Sequence, residues 1–100
     1  MDAQLIADVY LYPTESGGKK LAMYGIFSCP CFLQKDTKSL GYDCRILVGE
    51  KPFAPGERRR AGFVFSYPDA IDIIRSAGKF YLWEGRFFRE ATVVSEPTSK

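Results

Sequence analysis

The sequence predicts an all-β fold, a small closed antiparallel β-barrel with one short helix, and three observations predict it. Apolar and polar residues alternate over several short runs, the period of a strand with one face in a core. Glycine and proline turns cut those runs at fairly regular intervals, as in a chain of many short strands. Aromatic residues make up 15% of the chain, and rings and β-branched side chains suit a pleated, half-buried surface. Closing the sheet on itself removes the strand edges that would otherwise recruit other chains.

The elements follow in order. Gln4–Tyr12 alternates, with Leu5, Ala7, Val9 and Leu11 on one face and Ile6, Asp8, Tyr10 and Tyr12 on the other. Pro13, Ser16, Gly17 and Gly18 end that strand, and Lys19 and Lys20 follow in the loop. Leu21–Phe27 and Cys29–Gln34 read as two short strands bent near Ser28 or Pro30. Lys35–Gly41 is a polar turn. Tyr42–Val48 is a strand with Tyr42, Cys44, Ile46 and Val48 on one face. Gly49–Arg60 holds Pro52, Pro55 and Gly56 and reads as the longest loop. Ala61–Tyr67 alternates again, with Phe63, Phe65 and Tyr67 together. Pro68–Ala77 is the helical stretch: Ala70, Ile71, Ile74 and Ala77 recur at helical spacing, Asp69 sits near the start and Gly78 stands at the C-terminal cap position. This helix is expected to plug one end of the barrel. Lys79–Trp83 and Phe87–Val94 are the last strands, joined through Glu84–Gly85–Arg86.

A chain of 100 residues is one domain by length, here 1–94 with a flexible tail at 95–100. A domain of this size buries roughly two thirds of its unfolded surface and needs neither metal nor disulfide to fold. The net charge of +2 does not by itself predict nucleic-acid binding, which draws on several clustered cations. With no membrane-length apolar run and no leader pattern at Met1–Asp2, the expectation is a soluble, cytoplasmic protein. Three cysteines, Cys29, Cys31 and Cys44, argue against a secreted disulfide framework. The chain has no histidine, which removes the commonest general base and metal ligand.

The order of strands and turns resembles the C-terminal (third) β-barrel domain of elongation factor Tu, from about Ala7 to Val94. Ala7–Asp8–Val9–Tyr10–Leu11 followed by Glu15–Ser16–Gly17–Gly18–Lys19 is similar to that family's first strand and its acidic-Gly-Gly-Arg turn, with Lys for Arg. Pro55–Gly56–Glu57 resembles its Pro-Gly-Asp turn, and the spacing from Pro55 to Pro68 matches. Phe80–Gly85 through Val93–Val94 aligns with its closing hairpin without a gap. The resemblance implies a stand-alone barrel, because no phosphate-cradling Gly-rich loop of a GTPase domain accompanies it. In that family the barrel makes two contacts, one to the T-stem backbone of aminoacyl-tRNA and one to the GTPase domain. The chain departs from the family where arginines are expected. Gly25–Ile26–Phe27–Ser28–Cys29–Pro30 replaces a Gly-Tyr-Arg-Pro segment. Trp83 stands for the first arginine of the closing hairpin, Phe87 takes the place of the second, and Arg86 falls one position early.

These departures shape the functional expectation, a non-catalytic module that binds a protein. Trp83, Arg86, Phe87 and Phe88 are the candidate contact residues, since rings on a β surface anchor interfaces. Strand alternation turns only one of Phe87 and Phe88 inward. The alternative is tRNA or other structured RNA held by Lys19, Lys20, Arg58, Arg59, Arg60 and Arg89, because guanidinium forks grip phosphate oxygens. A solvated, charge-guarded sheet edge is the simpler reading of Arg58–Arg60. The Cys29-x-Cys31 spacing puts both sulfurs on one strand face and predicts core cysteines, not a metal site. No cofactor, metal or membrane contact is expected. The carboxylates Asp8, Asp69, Asp72, Glu84 and Glu90 show no spacing that forces a shared cleft.

Overall fold

The computed structural model describes residues 3–13, 23–36, 38 and 40–94. Within them the chain runs β1 (Leu5–Leu11), β2 (Met23–Phe32), β3 (Gly41–Phe53), β4 (Arg58–Phe65), α1 (Pro68–Ala77), β5 (Lys79–Trp83) and β6 (Phe87–Val93). The strands close into an antiparallel barrel in the order β1-β4-β3-β2-β5-β6. The predicted turn at 15–19, Lys19, Lys20 and the tail at 95–100 lie outside the described residues.

Alternation decides which residues fill the barrel. Leu5, Ala7, Val9 and Leu11 of β1 are all buried, as their spacing predicts. Phe63 and Phe65 of β4 and Phe80 of β5 meet across the interior, with Phe80 edge-on to Phe63 at 5.1 Å between centroids. Such edge-to-face pairs add to the burial of the rings. Cys29, Cys31 and Cys44 are buried thiols in the same core.

The helix coincides with its predicted span. Pro68 occupies its first turn, where the missing N–H breaks no bond. Gly78 ends it with φ +81°, a left-handed conformation that glycine adopts without a Cβ clash, and its N–H donates to the Ile74 carbonyl at 2.9 Å. α1 carries the chain from β4 to β5, which are not neighbours in the barrel, and turns Ala70 and Ile74 into the core. Tyr67 precedes the helix and is exposed, so it does not continue the Phe63–Phe65 face.

Two expectations are corrected. The bend near Ser28 or Pro30 is absent, and Met23–Phe32 is one strand. Pro30 fits because β5 begins to pair only at Cys31, so one side of Pro30 has no ladder to break. The expected long loop over Gly49–Arg60 is instead a strand end, a short turn at 54–57 and the start of β4. Gly49 lies opposite Gly25, and both take positive φ, +88° and +78°. That paired release lets the β2–β3 ribbon bend without ending, beside a bulge between Met23 and Ile26. Arg59 then satisfies the carbonyls of Lys51 and Pro52 beyond the reach of β4.

One seam is far shorter than the others. β2 meets β5 only through Cys31↔Leu82 and Phe32↔Tyr81. Packing supplements it: the Phe32 ring stands edge-on to Phe87 at 5.8 Å. We expect Phe32→Ala to lower stability by about 3 kcal/mol, a melting-point fall of more than ~10 °C for a chain of this size. Ile26→Ala, on an exposed side chain away from the seam, should change stability by less than ~0.5 kcal/mol. Urea unfolding of the two variants checks the contrast.

Candidate binding surface

The outer face of β4, β1, β6 and β5 is a continuous strip of rings and charges. Its register comes from the ladder: Arg58 lies opposite Tyr10, Tyr10 opposite Glu90, and Glu90 opposite Tyr81. A parallel row runs Arg60, Asp8, Thr92, Lys79. Alternation puts these side chains outside because their neighbours Val9, Ala61, Ala91 and Phe80 face the core.

Most of the charges on this strip have partners. Arg60 Nε donates to Asp8 Oδ1 at 3.1 Å. The Arg58 guanidinium lies 4.7 Å from the centre of the Tyr10 ring. Tyr12 Oη donates to Glu90 Oε1 at 3.1 Å, and Lys79 Nζ stands 3.4 Å from Glu90 Oε2. Lys35 Nζ sits over both Tyr12 and Tyr81, at 4.7 and 5.5 Å. Burial, reinforced by the Glu90 carboxylate, pushes the Tyr12 hydroxyl above its ordinary pKa. The Lys35 ammonium is held protonated to higher pH, first by its hydrogen bond to Tyr12. Arg59 turns the other way: besides the two carbonyls it meets Glu57 at 3.3 Å and stacks on Phe53. Glu57 in turn accepts from the Ala54 N–H, which with Arg59 draws its carboxyl below the usual range.

At one end of the strip, the β5–β6 hairpin carries the predicted contact residues. Trp83 pairs with Phe87 across it, both half-buried on the outer face, and Arg86 is exposed in the turn. Tyr81 is edge-on to Phe87 at 6.5 Å. Phe88 and Arg89 are corrections to the expected sites. Phe88 is wholly buried and cannot meet a partner. The register shifts between Leu82 and Trp83, so the pairing steps from Arg89 to Phe87 and Phe88 drops inward. Arg89 is also 0% exposed, so it cannot touch RNA. It shares the inward register of Ala91, and its guanidinium lies 3.9 Å from the Phe88 ring centre and 4.9 Å from that of Phe27. Nη2 contacts the Met23 sulfur, while Nε and Nη1 have no hydrogen-bond partner among the described residues. Burial lowers the pKa of this guanidinium to about 10, which still leaves it charged at neutral pH.

The sequence reading missed the contributions of Tyr10, Tyr12, Tyr81 and Lys35. The signal was present for the tyrosines, which sit at every second position opposite the core face. It also missed two apolar hollows. One, of about 360 Å³, lies between Tyr24, Ile26 and Leu47; the other, of about 300 Å³, lies between Leu40, Tyr67 and Ile73. Among the described residues, no group of His, Cys, Asp or Glu is placed to hold a metal, and no helix is long and apolar enough to cross a membrane. The carboxylates are dispersed: Asp8 and Glu90 are tied to cations on the strip, Asp69 and Asp72 are on α1, and Glu84 is in the hairpin turn. No protein-family model matches the chain, and no curated protein matches it.

Replacing the buried cation by an apolar side chain of similar length should help the fold. We expect Arg89→Met to raise stability by about 1–2 kcal/mol at pH 7, because it removes two unsatisfied donors and a desolvated charge. The sign with pH follows from the lowered pKa. Above about 10 the unfolded chain still keeps a proton that the folded chain releases, so this group adds to wild-type stability as pH rises. The advantage of Arg89→Met should therefore be full below pH 10 and shrink above it, as read by urea unfolding of both proteins.

Proposed function

We propose that this chain is a non-catalytic binding module with a barrel of the elongation factor Tu third-domain type, and that it binds another protein. The contact surface is the outer strip, anchored on Trp83 and Phe87 and flanked by Tyr81 and Arg86. The observation that carries this reading is the state of the strip. Asp8 and Arg60 neutralise each other, and so do Lys79 and Glu90, while the rings beside them keep part of their faces at the surface. A surface of ringed anchors with a balanced polar rim suits a protein interface better than a phosphate backbone. The absence of histidine from the sequence and the dispersed carboxylates of the described residues support a module without chemistry of its own. Thiols at all three cysteines favour a reducing compartment such as the cytoplasm.

RNA binding is the second reading. It is favoured by one observation, the interleaving of Arg58 and Lys35 with the Tyr10, Tyr12 and Tyr81 rings, which resembles a base-stacking platform. With Arg89 inside the barrel and Arg59 spent on carbonyls, it has fewer cations than the sequence offered.

The test compares wild type with Trp83→Ala/Phe87→Ala in crosslinking and affinity capture from cell extract. A protein retained by wild type should be lost, or bound at least tenfold more weakly, with circular dichroism unchanged. An identical set of captured proteins would remove the hairpin from the interface. Titration with total tRNA at low salt should show no affinity above that of a neutral control barrel. A Kd that weakens steeply with salt would favour the second reading.

A further inference from the structure

β2 follows β3 from Met23 to Phe32 but meets β5 only at Cys31 and Phe32, so the edge facing β5 is open before Pro30. The ladder fixes which groups that edge carries. The Ser66 N–H donates to the Asp43 carbonyl, so Asp43 and, by alternation, Arg45 and Leu47 turn their backbone groups towards β4. Their partners across the β2–β3 ladder, Pro30, Ser28 and Ile26, turn theirs the opposite way, to the open edge. Phe27 and Cys29, between them, bond to β3. Among the described residues nothing pairs with the N–H and C=O of Ile26 and Ser28. Both residues are exposed, whereas Cys29 beside them is buried. The edge is short. Pro30 has no N–H to offer at one end, and the bulge between Met23 and Ile26, with Gly25 at φ +78°, bends the strand at the other. Beside it on the outer face is the hollow of about 360 Å³ between Tyr24, Ile26 and Leu47, where Tyr24 is 68% and Ile26 57% exposed.

We propose that this edge of β2 docks an extended polypeptide segment of another protein, which joins the barrel as one further strand and sets an apolar side chain against the hollow. Unpaired N–H and C=O groups recurring every ~7 Å along an edge are matched by the backbone of another strand. A strand supplies donor and acceptor together at that spacing, whereas a phosphate chain supplies acceptors alone. The incoming residue opposite Ile26 lies ~4.5–5.5 Å from it on the outer face, next to Tyr24, and that position selects an apolar side chain. A second copy of this chain does not fit. Antiparallel pairing of two β2 edges about Ser28 sets Gly25 and Tyr24 of each barrel opposite Cys31 and Phe32 of the other. β5 already holds that part of the edge. The site goes beyond the strip on β4, β1, β6 and β5 and draws on none of its residues.

Hydrogen exchange of the free full chain, read by NMR, should show the Ile26 and Ser28 amides exchanging at least ~100-fold faster than those of Phe27 and Cys29. Equal protection would mean that the edge is already covered, and would overturn the proposal. The binding probe is a phage-displayed library of random linear peptides selected on the wild-type chain. A selected peptide should slow exchange at Ile26 and Ser28. Ser28→Pro removes one edge donor, and Pro30 shows that proline fits a residue of this orientation. It should weaken the peptide about tenfold or more, with circular dichroism unchanged. Ser28→Ala keeps the N–H and should bind as wild type. Methylating the peptide nitrogens one at a time should weaken binding at alternate positions only. Should Ser28→Pro fail to fold, that methylation series on wild type decides. Failure to select any peptide, equal binding by Ser28→Pro, a methylation series without alternation, or a dimer that protects the two amides would each overturn the proposal.

Discussion

The barrel exists as a closed body because β2 reaches β5, and it reaches it through two residue pairs only. Every other seam is a longer ladder. At such a short seam backbone hydrogen bonds contribute little, and side-chain packing has to hold the strands together. Phe32 does this from one side, edge-on to Phe87, while Gly41 lies close against the Phe32 ring. A Cβ at Gly41 would stand 2.8 Å from that ring, so the start of β3 is kept bare for it. The same closure shuts the interior around Cys31, Leu82 and Phe88, all at 0% exposure.

Charge is divided unevenly between the two sides of the wall. Outside, the strip from Arg58 to Tyr81 pairs its cations with carboxylates and rings, so few long-range fields remain to attract a polyanion. Inside, Arg89 has rings and sulfur for company and, among the described residues, no carboxylate bonded to it. Ring faces recover part of the lost hydration through the quadrupole, and the thioether adds a soft contact. They do not replace the hydrogen bonds that Nε and Nη1 lack, and the stability of the barrel bears the difference.

Much of this architecture was legible in the residues. The alternation in Leu5–Leu11 named four core side chains, and Pro68 with Gly78 bounded the helix because proline and glycine carry their backbone preferences wherever they stand. Lys79–Trp83 has a clean period of two and matched its strand. Failures came where a local signal was overridden by a neighbour. Glycine and proline at 49, 52, 55 and 56 read as one long loop, but Gly49 opposite Gly25 bends a continuous ribbon and Arg59 caps its edge. That compensation comes from residues distant in sequence. At the candidate site, Trp83, Arg86 and Phe87 were visible as ringed and charged residues beside a turn, whereas the part played by Lys35 depends on where its loop lands over Tyr12 and Tyr81. Arg89 shares alternation with Ala91, yet assigning it inward meant accepting a charge in a core, which burial statistics argue against.

The buried cation and the displayed ring are consequences of one register shift. Unbroken alternation from Ala91 would turn both Arg89 and Phe87 inward and leave Phe88 outside. The shift between Leu82 and Trp83 inserts an extra residue, so Phe88 enters the core beside Arg89 and Phe87 moves to the outer face opposite Trp83. Phe88 then supplies the ring on which the Arg89 guanidinium rests. A bulge that re-aims a side chain at the rim of a barrel is a recurrent way to build a contact surface. Here the outward Phe87 also packs on Phe32 at the short seam, so the element that would meet a partner is the one that keeps the cylinder shut. A partner seated on Trp83 and Phe87 would therefore bind the closed barrel more tightly than any opened form, and would stabilise it by that difference in affinity.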